Sequence, residues 1–399
     1  MVTMAETSQK ALQQQILIDD SNIPDWLLTE ILQRLPVKHI FKFKCVSKRW
    51  FILISDPFFA RLYSTRINTS LSTSQPWNLL FRYLYEVRIV PSSMIDTRIA
   101  LKQSQDFSSP GFSLNFLPYS KHDCPIKILA SSNGLLLCCE TFYWQKNYYI
   151  CNPLIQQWIA LPKPPKAIKS VAVGFICKDG HYEVIRFPTA NYGPSNTLRL
   201  ETFSSETGKW HCSIVNCPVL DYYIKTDSPV VHYNGSLHWL EFRHSKIITY
   251  DPHNGTNTGL HQMNLPDDKQ SEHLSLLGVS RGRFRYFEVT DTCFGPRDLR
   301  VWVLSDYDAQ RWCLEYRIKF SGSWIDEVNE FIPKDNFYIF PLALHPHEFD
   351  IVYLGYGGCL VSYNLGTRKL DVVHRNFYSH QLLAFVFSPW PTTIPQPFW

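Results

Sequence analysis

A turn followed by an apolar anchor recurs five times in this chain, at 152–158, 204–210, 251–260, 305–312 and 364–370. The anchors are Trp158, Trp210, Leu260, Trp312 and Leu370, spaced 52, 50, 52 and 58 residues apart. Gly134, Gly180, Gly235 and Gly282 form a second mark, each in a hairpin signal 24, 30, 25 and 30 residues ahead of its anchor. The fifth unit lacks that glycine, and His345-Pro346-His347 is expected to turn in its place. Between the marks lie short runs rich in Val, Ile, Leu, Phe, Tyr and Trp, broken by Gly, Pro, Asn and Asp. These read as strands and turns, and no sustained 3.6-residue period appears after residue 77.

A period near fifty with four short strands per unit predicts a mainly β region folded as a kelch-like β-propeller. One such unit cannot bury both its faces, so neighbours must stack around an axis. The marked units begin near residue 126. Residues 77–117 contain Leu79-Leu80-Phe81, Val87-Arg88-Ile89-Val90 and Phe112-Ser113-Leu114, enough for a sixth unit. The run 382–387 is expected to complete a unit begun elsewhere and close the ring. Six blades are favoured, with five or seven left open. Hydrophobic residues at 45% and aromatics at 15% can fill such an interior and exclude general disorder.

The first sixty-six residues follow another pattern. Leu27, Ile31 and Leu35 repeat every four residues, flanked by Leu28 and Leu32, which makes an apolar helical stripe. Pro24 suits the first turn, and Asp25 meets the positive end of the helix dipole. Pro36 ends this helix, because the residue before a proline avoids α geometry. Val37, Ile40, Phe41, Cys45 and Val46 give a second stripe, and Trp50, Leu53 and Ile54 a third. Asp56-Pro57 interrupts, and Phe58, Phe59, Leu62 and Tyr63 suggest a last short helix. Helices this short cannot bury all these side chains among themselves, which implies a partner or the following domain. Charge is uneven: two cations face five carboxylates in residues 1–35, and seven face one in 36–66.

The string from Ile23 to Trp50, with Leu35-Pro36-Val37-Lys38 and Lys44-Cys45-Val46-Ser47-Lys48-Arg49-Trp50, resembles an F-box of the kind common in plant F-box proteins. The resemblance implies a small three-helix domain that docks a Skp-type adaptor and, through it, a cullin. Matched position by position, it implies an adaptor surface of Ile23, Pro24, Leu27, Leu28, Ile31, Leu32, Leu35, Pro36, Ile40, Phe41, Cys45, Val46 and Trp50. Trp26 and His39-Ile40-Phe41 depart from the usual residues but keep the apolar character. These adaptors are acidic, so the basic segment would speed and orient encounter.

Residues 77–390 resemble the F-box-associated interaction domain, through Ser131-Ser132-Asn133-Gly134-Leu135-Leu136, Cys151-Asn152-Pro153, Tyr233-Asn234-Gly235-Ser236-Leu237-His238-Trp239-Leu240 and Leu299-Arg300-Val301-Trp302-Val303-Leu304. This implies a target-binding domain in an SCF-type ubiquitin ligase. The expected layout is a leader at 1–20, the F-box at 21–66, a linker at 67–76, the propeller at 77–392 and a tail at 393–399.

Other chemistries fare poorly. Net charge of +4 is too mild to favour nucleic acid. Eleven scattered cysteines without a CxxC pair fit a reducing compartment. Cys45, Cys138, Cys139, Cys151, Cys293 and Cys359 lie in or beside apolar runs, where buried thiols are at home. The leader has no apolar h-region, and no run approaches membrane-spanning length. A location in cytoplasm, nucleus or both is expected. The sequons at Asn234 and Asn254 read as hairpin turns.

Gly278-Val279-Ser280-Arg281-Gly282 matches a nucleophile elbow, but a strand-like run follows where that motif needs a helix. His211-Cys212 with Cys217 fits no standard zinc spacing. Trp158, Trp210 and Trp312 recur with the blades and read as packing anchors. No catalytic, cofactor or metal residues are expected. Target contacts are expected on the non-periodic stretches 141–147, 190–196, 221–227 and 291–298, through Tyr143, Trp144, Tyr222, Tyr223, Phe294 and Arg297. The alternatives are an adaptor-binding scaffold outside any ligase and, further off, a propeller enzyme acting on a small molecule.

Overall fold

The computed structural model describes residues 23–35, 37–70, 77–83, 86–91, 114, 116–118, 126–140, 145–166, 171–178, 180–189, 197–217, 219, 221–224, 229–252, 260–266, 274–290, 298–319, 339–375, 377, 382–386, 388, 390 and 394. The chain divides into two units, Met1–Ser72 and Thr73–Trp399.

In the first unit the described residues form α1 (Asp25–Leu32), α2 (Val37–Phe43), α3 (Lys48–Ser55) and α4 (Pro57–Ser70). Pro24 caps α1 in an extended conformation, and Asp25 opens its first turn. Ser47 is extended before α3 and accepts the Trp50 N–H at 3.2 Å. The Asp56 carboxylate accepts the Phe58 N–H at 2.8 Å, where α4 begins. Three helices and then a last short helix over 58–63 were expected here. Instead α4 runs fourteen residues, into the Ser/Thr-rich stretch read as linker. Once Asp56 has capped a first turn, extending it costs far less than nucleating it did. Pro36 lies outside the described residues.

The second unit contains five antiparallel four-stranded sheets, each built from consecutive strands, and these are blades of a β-propeller. The second sheet has β3 (Lys127–Ser132), β4 (Leu135–Cys139), β5 (Tyr148–Asn152) and β6 (Gln157–Ala160). The third has β7 (Val171–Lys178), β8 (His181–Pro188), β9 (Thr197–Ser204) and β10 (Lys209–Asn216). The fourth has β11 (Val231–Tyr233), β12 (Ser236–Glu241), β13 (Lys246–Tyr250) and β14 (Leu260–Asn264). The fifth has β15 (Leu274–Ser280), β16 (Arg283–Val289), β17 (Asp298–Asp306) and β18 (Arg311–Lys319). The sixth has β19 (Ile339–Leu344), β20 (Ile351–Tyr356), β21 (Cys359–Asn364) and β22 (Leu370–His374). The first sheet differs: β1 (Trp77–Tyr83) pairs β2 (Glu86–Pro91) on one side and β23 (Leu382–Val386) on the other.

Each sequence mark has a fixed place. All five anchors stand in the fourth strand of their sheet. The first-to-second strand turns carry Gly134, Gly180, Gly235 and Gly282 at positive φ, and 345–350 make that connection in the sixth sheet. First strands pack on neighbouring first strands, as β3 on β7, β11 on β15, β15 on β19 and β19 on β23.

Six apolar clusters join the sheets in cyclic order. Leu136, Cys138 and Cys151 meet Leu80 and Phe385 between the first and second sheets. Ile150 meets Phe175 between the second and third, and Phe187 meets Trp239 between the third and fourth. Ile247 meets Phe284 between the fourth and fifth, and Val301 meets Leu354 between the fifth and sixth. Tyr353 and Leu360 meet Trp77 and Leu79, returning to the first.

The tryptophan anchors divide in role. Trp210 Nε1 donates to Pro162 O at 2.8 Å and Trp312 Nε1 to Asn264 O at 3.0 Å, so each staples its outer strand to the end of the preceding sheet. Trp158 is 38% exposed and packs edge to face on Tyr149 of its own sheet.

Candidate functional site

Two surfaces carry the positions expected to meet partners. The first is on the helical unit. Leu28, Leu32 and Ile40 are buried and hold that unit together. Leu27, Ile31, Cys45 and Val46 are exposed, as is Pro24; Ile23, Leu35, Phe41 and Trp50 are half-buried. The expected docking residues therefore split between a core row and an outward row. Cys45 was expected among buried thiols; it lies past the end of α2 and faces solvent. Trp26, Phe51, Ile52 and Phe58, none of them in the expected docking set, are 71%, 53%, 69% and 62% exposed. Outward apolar area this concentrated is more typical of surfaces that meet a partner than of ordinary solvated ones. Its frame is tied by Arg49, whose guanidinium reaches the Asp25 carboxylate at 2.6 Å and the Ile23 carbonyl. The Tyr63 hydroxyl donates to Leu35 O at 3.3 Å.

The second surface is one end of the propeller. In a sheet of four consecutive antiparallel strands, second-to-third connections and the links onward to the next sheet emerge at the same end. Residues 141–147, 190–196 and 291–298 lie on second-to-third connections of the second, third and fifth sheets, and 221–227 on the link from β10 to β11. The strand ends that flank the four stretches expected to touch a target thus lie at one end of their sheets, while 141–144, 190–196, 225–227 and 291–297 themselves lie outside the described residues.

Buried polar groups brace the bases of these connections. Arg186 and Glu201, both wholly buried, pair at 3.1 Å. Arg186 also donates to Gln145 O at 3.2 Å, the Tyr148 hydroxyl at 3.2 Å and Lys166 O at 2.8 Å. Burial pushes the Tyr148 phenol well above its ordinary range, so it stays neutral. The Glu241 carboxylate, also fully buried, accepts the N–H groups of Tyr223, Arg243 and His244 at 2.9, 2.8 and 2.8 Å. It fastens the stretch around Tyr223 to the β12–β13 turn, and Arg243 pairs with Asp221 above it. At the neck of 291–297, Thr290 N donates to Asp298 O at 2.9 Å and Asp298 N to Thr290 Oγ1 at 2.8 Å. Arg317 holds the Asp298 carboxylate at 2.8 Å.

The expected contact residues fare unequally. Tyr222 is fully buried between the third and fourth sheets and donates its hydroxyl to Pro188 O at 2.7 Å, so it is a core residue. Its neighbour Tyr223 is 39% exposed on the face. Tyr143, Trp144, Phe294 and Arg297 lie outside the described residues. Arg186, Glu201 and Glu241 carried no signal, since their partners lie on other strands.

Ser280 ends β15, and β16 follows directly, so the elbow motif is a hairpin. Its hydroxyl is buried and donates to His345 O at 2.7 Å, linking the fifth and sixth sheets. No group of three or more His, Cys, Asp or Glu able to hold a metal ion occurs among the described residues. Nor is any helix among them long and apolar enough to cross a membrane.

Comparison with known proteins matches both units. A family model described as F-box domain covers residues 21–62. A model described as F-box protein At3g26010-like, beta-propeller covers residues 98–388. The Arabidopsis thaliana F-box protein At3g23970 is 24% identical, over 94% of this chain and 99% of its own length. The Arabidopsis thaliana F-box/kelch-repeat protein At1g15680 is 28% identical, over 88% and 83%. The Arabidopsis thaliana F-box protein At3g26010 is 25% identical, over 94% and 91%.

Proposed function

Starting from the fact that this chain belongs to the family of F-box proteins with an At3g26010-like β-propeller, we propose that it is the target-recruiting subunit of an SCF-type ubiquitin ligase. The helical unit docks a Skp-type adaptor, and through it a cullin. The propeller holds a target protein whose lysines are thereby concentrated near a ubiquitin-conjugating enzyme. The observation that carries this reading is the outward apolar row of Leu27, Ile31 and Val46, with Trp26, on a unit that already has a buried core.

We further propose that the three-stranded first sheet is a sixth blade of a kelch-like ring, supported by the six clusters in cyclic order. The target sits on the face where the four connections open. On this reading the chain itself performs no bond chemistry. Domain limits near 21–66 and 77–392, and action in cytoplasm or nucleus, complete the proposal.

A pull-down with a purified Skp-type adaptor tests it. Ile31→Asp with Val46→Asp places charge on the exposed row and should abolish capture while far-ultraviolet circular dichroism stays unchanged. Leu32→Asp, inside the core, should unfold the helices instead. Undiminished capture by the double variant would sink the reading.

A further inference from the structure

The chain does not leave the ring when β23 ends. Ser388, two residues on, lies against the β3–β4 turn: a Cβ placed on Gly134 would stand 3.0 Å from both the Ser388 nitrogen and its Cβ. Six residues later Ile394 is 5% exposed, inside the cluster that joins the second and third sheets. The same terminal segment thus touches the first sheet through β23, the second at Gly134, and the interface beyond it at Ile394.

Three glycines act as an internal control. Gly134, Gly235 and Gly282 have φ of +75°, +77° and +71°, and each closes the first-to-second turn of its sheet after a left-handed Asn133, Asn234 or Arg281. An added Cβ at Gly235 or Gly282 would meet nothing within 4 Å. The backbone asks for glycine at all three sites. Only Gly134 carries a second constraint, and that constraint is the passing chain.

We propose that Ser388 and Ile394 are the fixed points of a C-terminal strap that locks the propeller closed. The seam it reinforces is held by five paired positions between β1 and β23. Those two strands are separated by almost the whole of the propeller sequence, whereas within the other sheets every pairing joins consecutive strands. A loop that long closes at an entropic cost, and a second attachment beyond the pairing offsets part of it. Ile394 supplies that attachment with buried apolar surface on the far side of the second sheet from the seam.

Hydrogen exchange on the full chain, on Ile394→Asp and on a chain ending at residue 387 tests this. Both altered chains keep β23. Their β1 and β23 amides should exchange at least about tenfold faster than in the intact protein, with β16 and β17 unchanged. Equal exchange across all three chains would overturn the proposal. Gly134→Ala and Gly282→Ala give a second measure that requires no loss of the tail. Both introduce the same φ strain, so in the full chain Gly134→Ala should lower the thermal midpoint further. Removing residues 388–399 should erase that difference. Equal effects of the two substitutions in the full chain would refute the strap.

Discussion

His238 is enclosed between the fourth and fifth sheets, with Nδ1 3.2 Å from Val231 O and Nε2 2.9 Å from the Tyr307 hydroxyl. A neutral ring protonated at Nδ1 satisfies both neighbours. Desolvation lowers its pKa from 6.5 to about 4, and burial does the same to His345, whose Nδ1 accepts the N–H groups of His347 and Glu348. The unfolded chain therefore binds these protons at a higher pH than the folded one. Their contribution is intact above pH 6.5 and is lost as pH falls towards 4, by up to about 1.4 kcal/mol per pH unit for each ring. Urea midpoints measured between pH 7 and 5 should decline, and His238→Gln should flatten the decline. A slope unaltered by that substitution would contradict the assignment. Residues of this sort show why the candidate site was only partly legible. Tyr222 and Tyr223 are the same residue type side by side, and a single isolated bridge between Ile224 and Glu241 decides which one turns inward. Sequence carries the residue type, whereas burial depends on a partner strand some twenty residues away.

At the scale of elements, legibility follows the range of the interactions. The helices themselves are set by caps, i to i+4 stripes and prolines, which are local, so α1, α2 and α3 were readable from spacing. The length of α4 was not, because its exposed Ser and Thr positions say little about where a helix stops. The anchors were readable as a period, but not as the two kinds they prove to be. Trp210 and Trp312 reach back 48 residues to a carbonyl on the preceding sheet. Phenylalanine at either site keeps most of the packing and removes the N–H. Each of Trp210→Phe and Trp312→Phe should therefore cost about 1 kcal/mol, roughly additive because they lie in different sheets. Trp158→Phe, with no such bond among the described contacts, should cost less. Denaturant unfolding of the three variants checks the ranking, and an equal loss at all three sites would remove the staple role.

For the whole molecule, the propeller was foreseen from the period near fifty, and the run 382–387, expected to complete a unit begun elsewhere, pairs through β23 with β1. The route of the terminal residues was not foreseen. Residues 393–399 were expected to be a tail, and within it Ile394 is buried in the cluster between the second and third sheets. A lone isoleucine among prolines and polar residues gives no periodicity to read, and its burial is set by the sheet geometry it meets.

The late arrival of β23 also orders events in time. During synthesis β1 is complete at residue 83 and β23 only at 386. At about 5–20 residues per second the first sheet waits on the order of 15–60 s for its third strand. Throughout that interval the four helices are complete and the propeller is not. A chain ending at residue 381 would be arrested in this state. It should still capture the adaptor in a pull-down while losing exchange protection in β1 and β2. Expressed beside the intact protein it would occupy adaptor without presenting a target, acting as a competitor. Adaptor capture lost together with β23 would show instead that the helices need the closed ring.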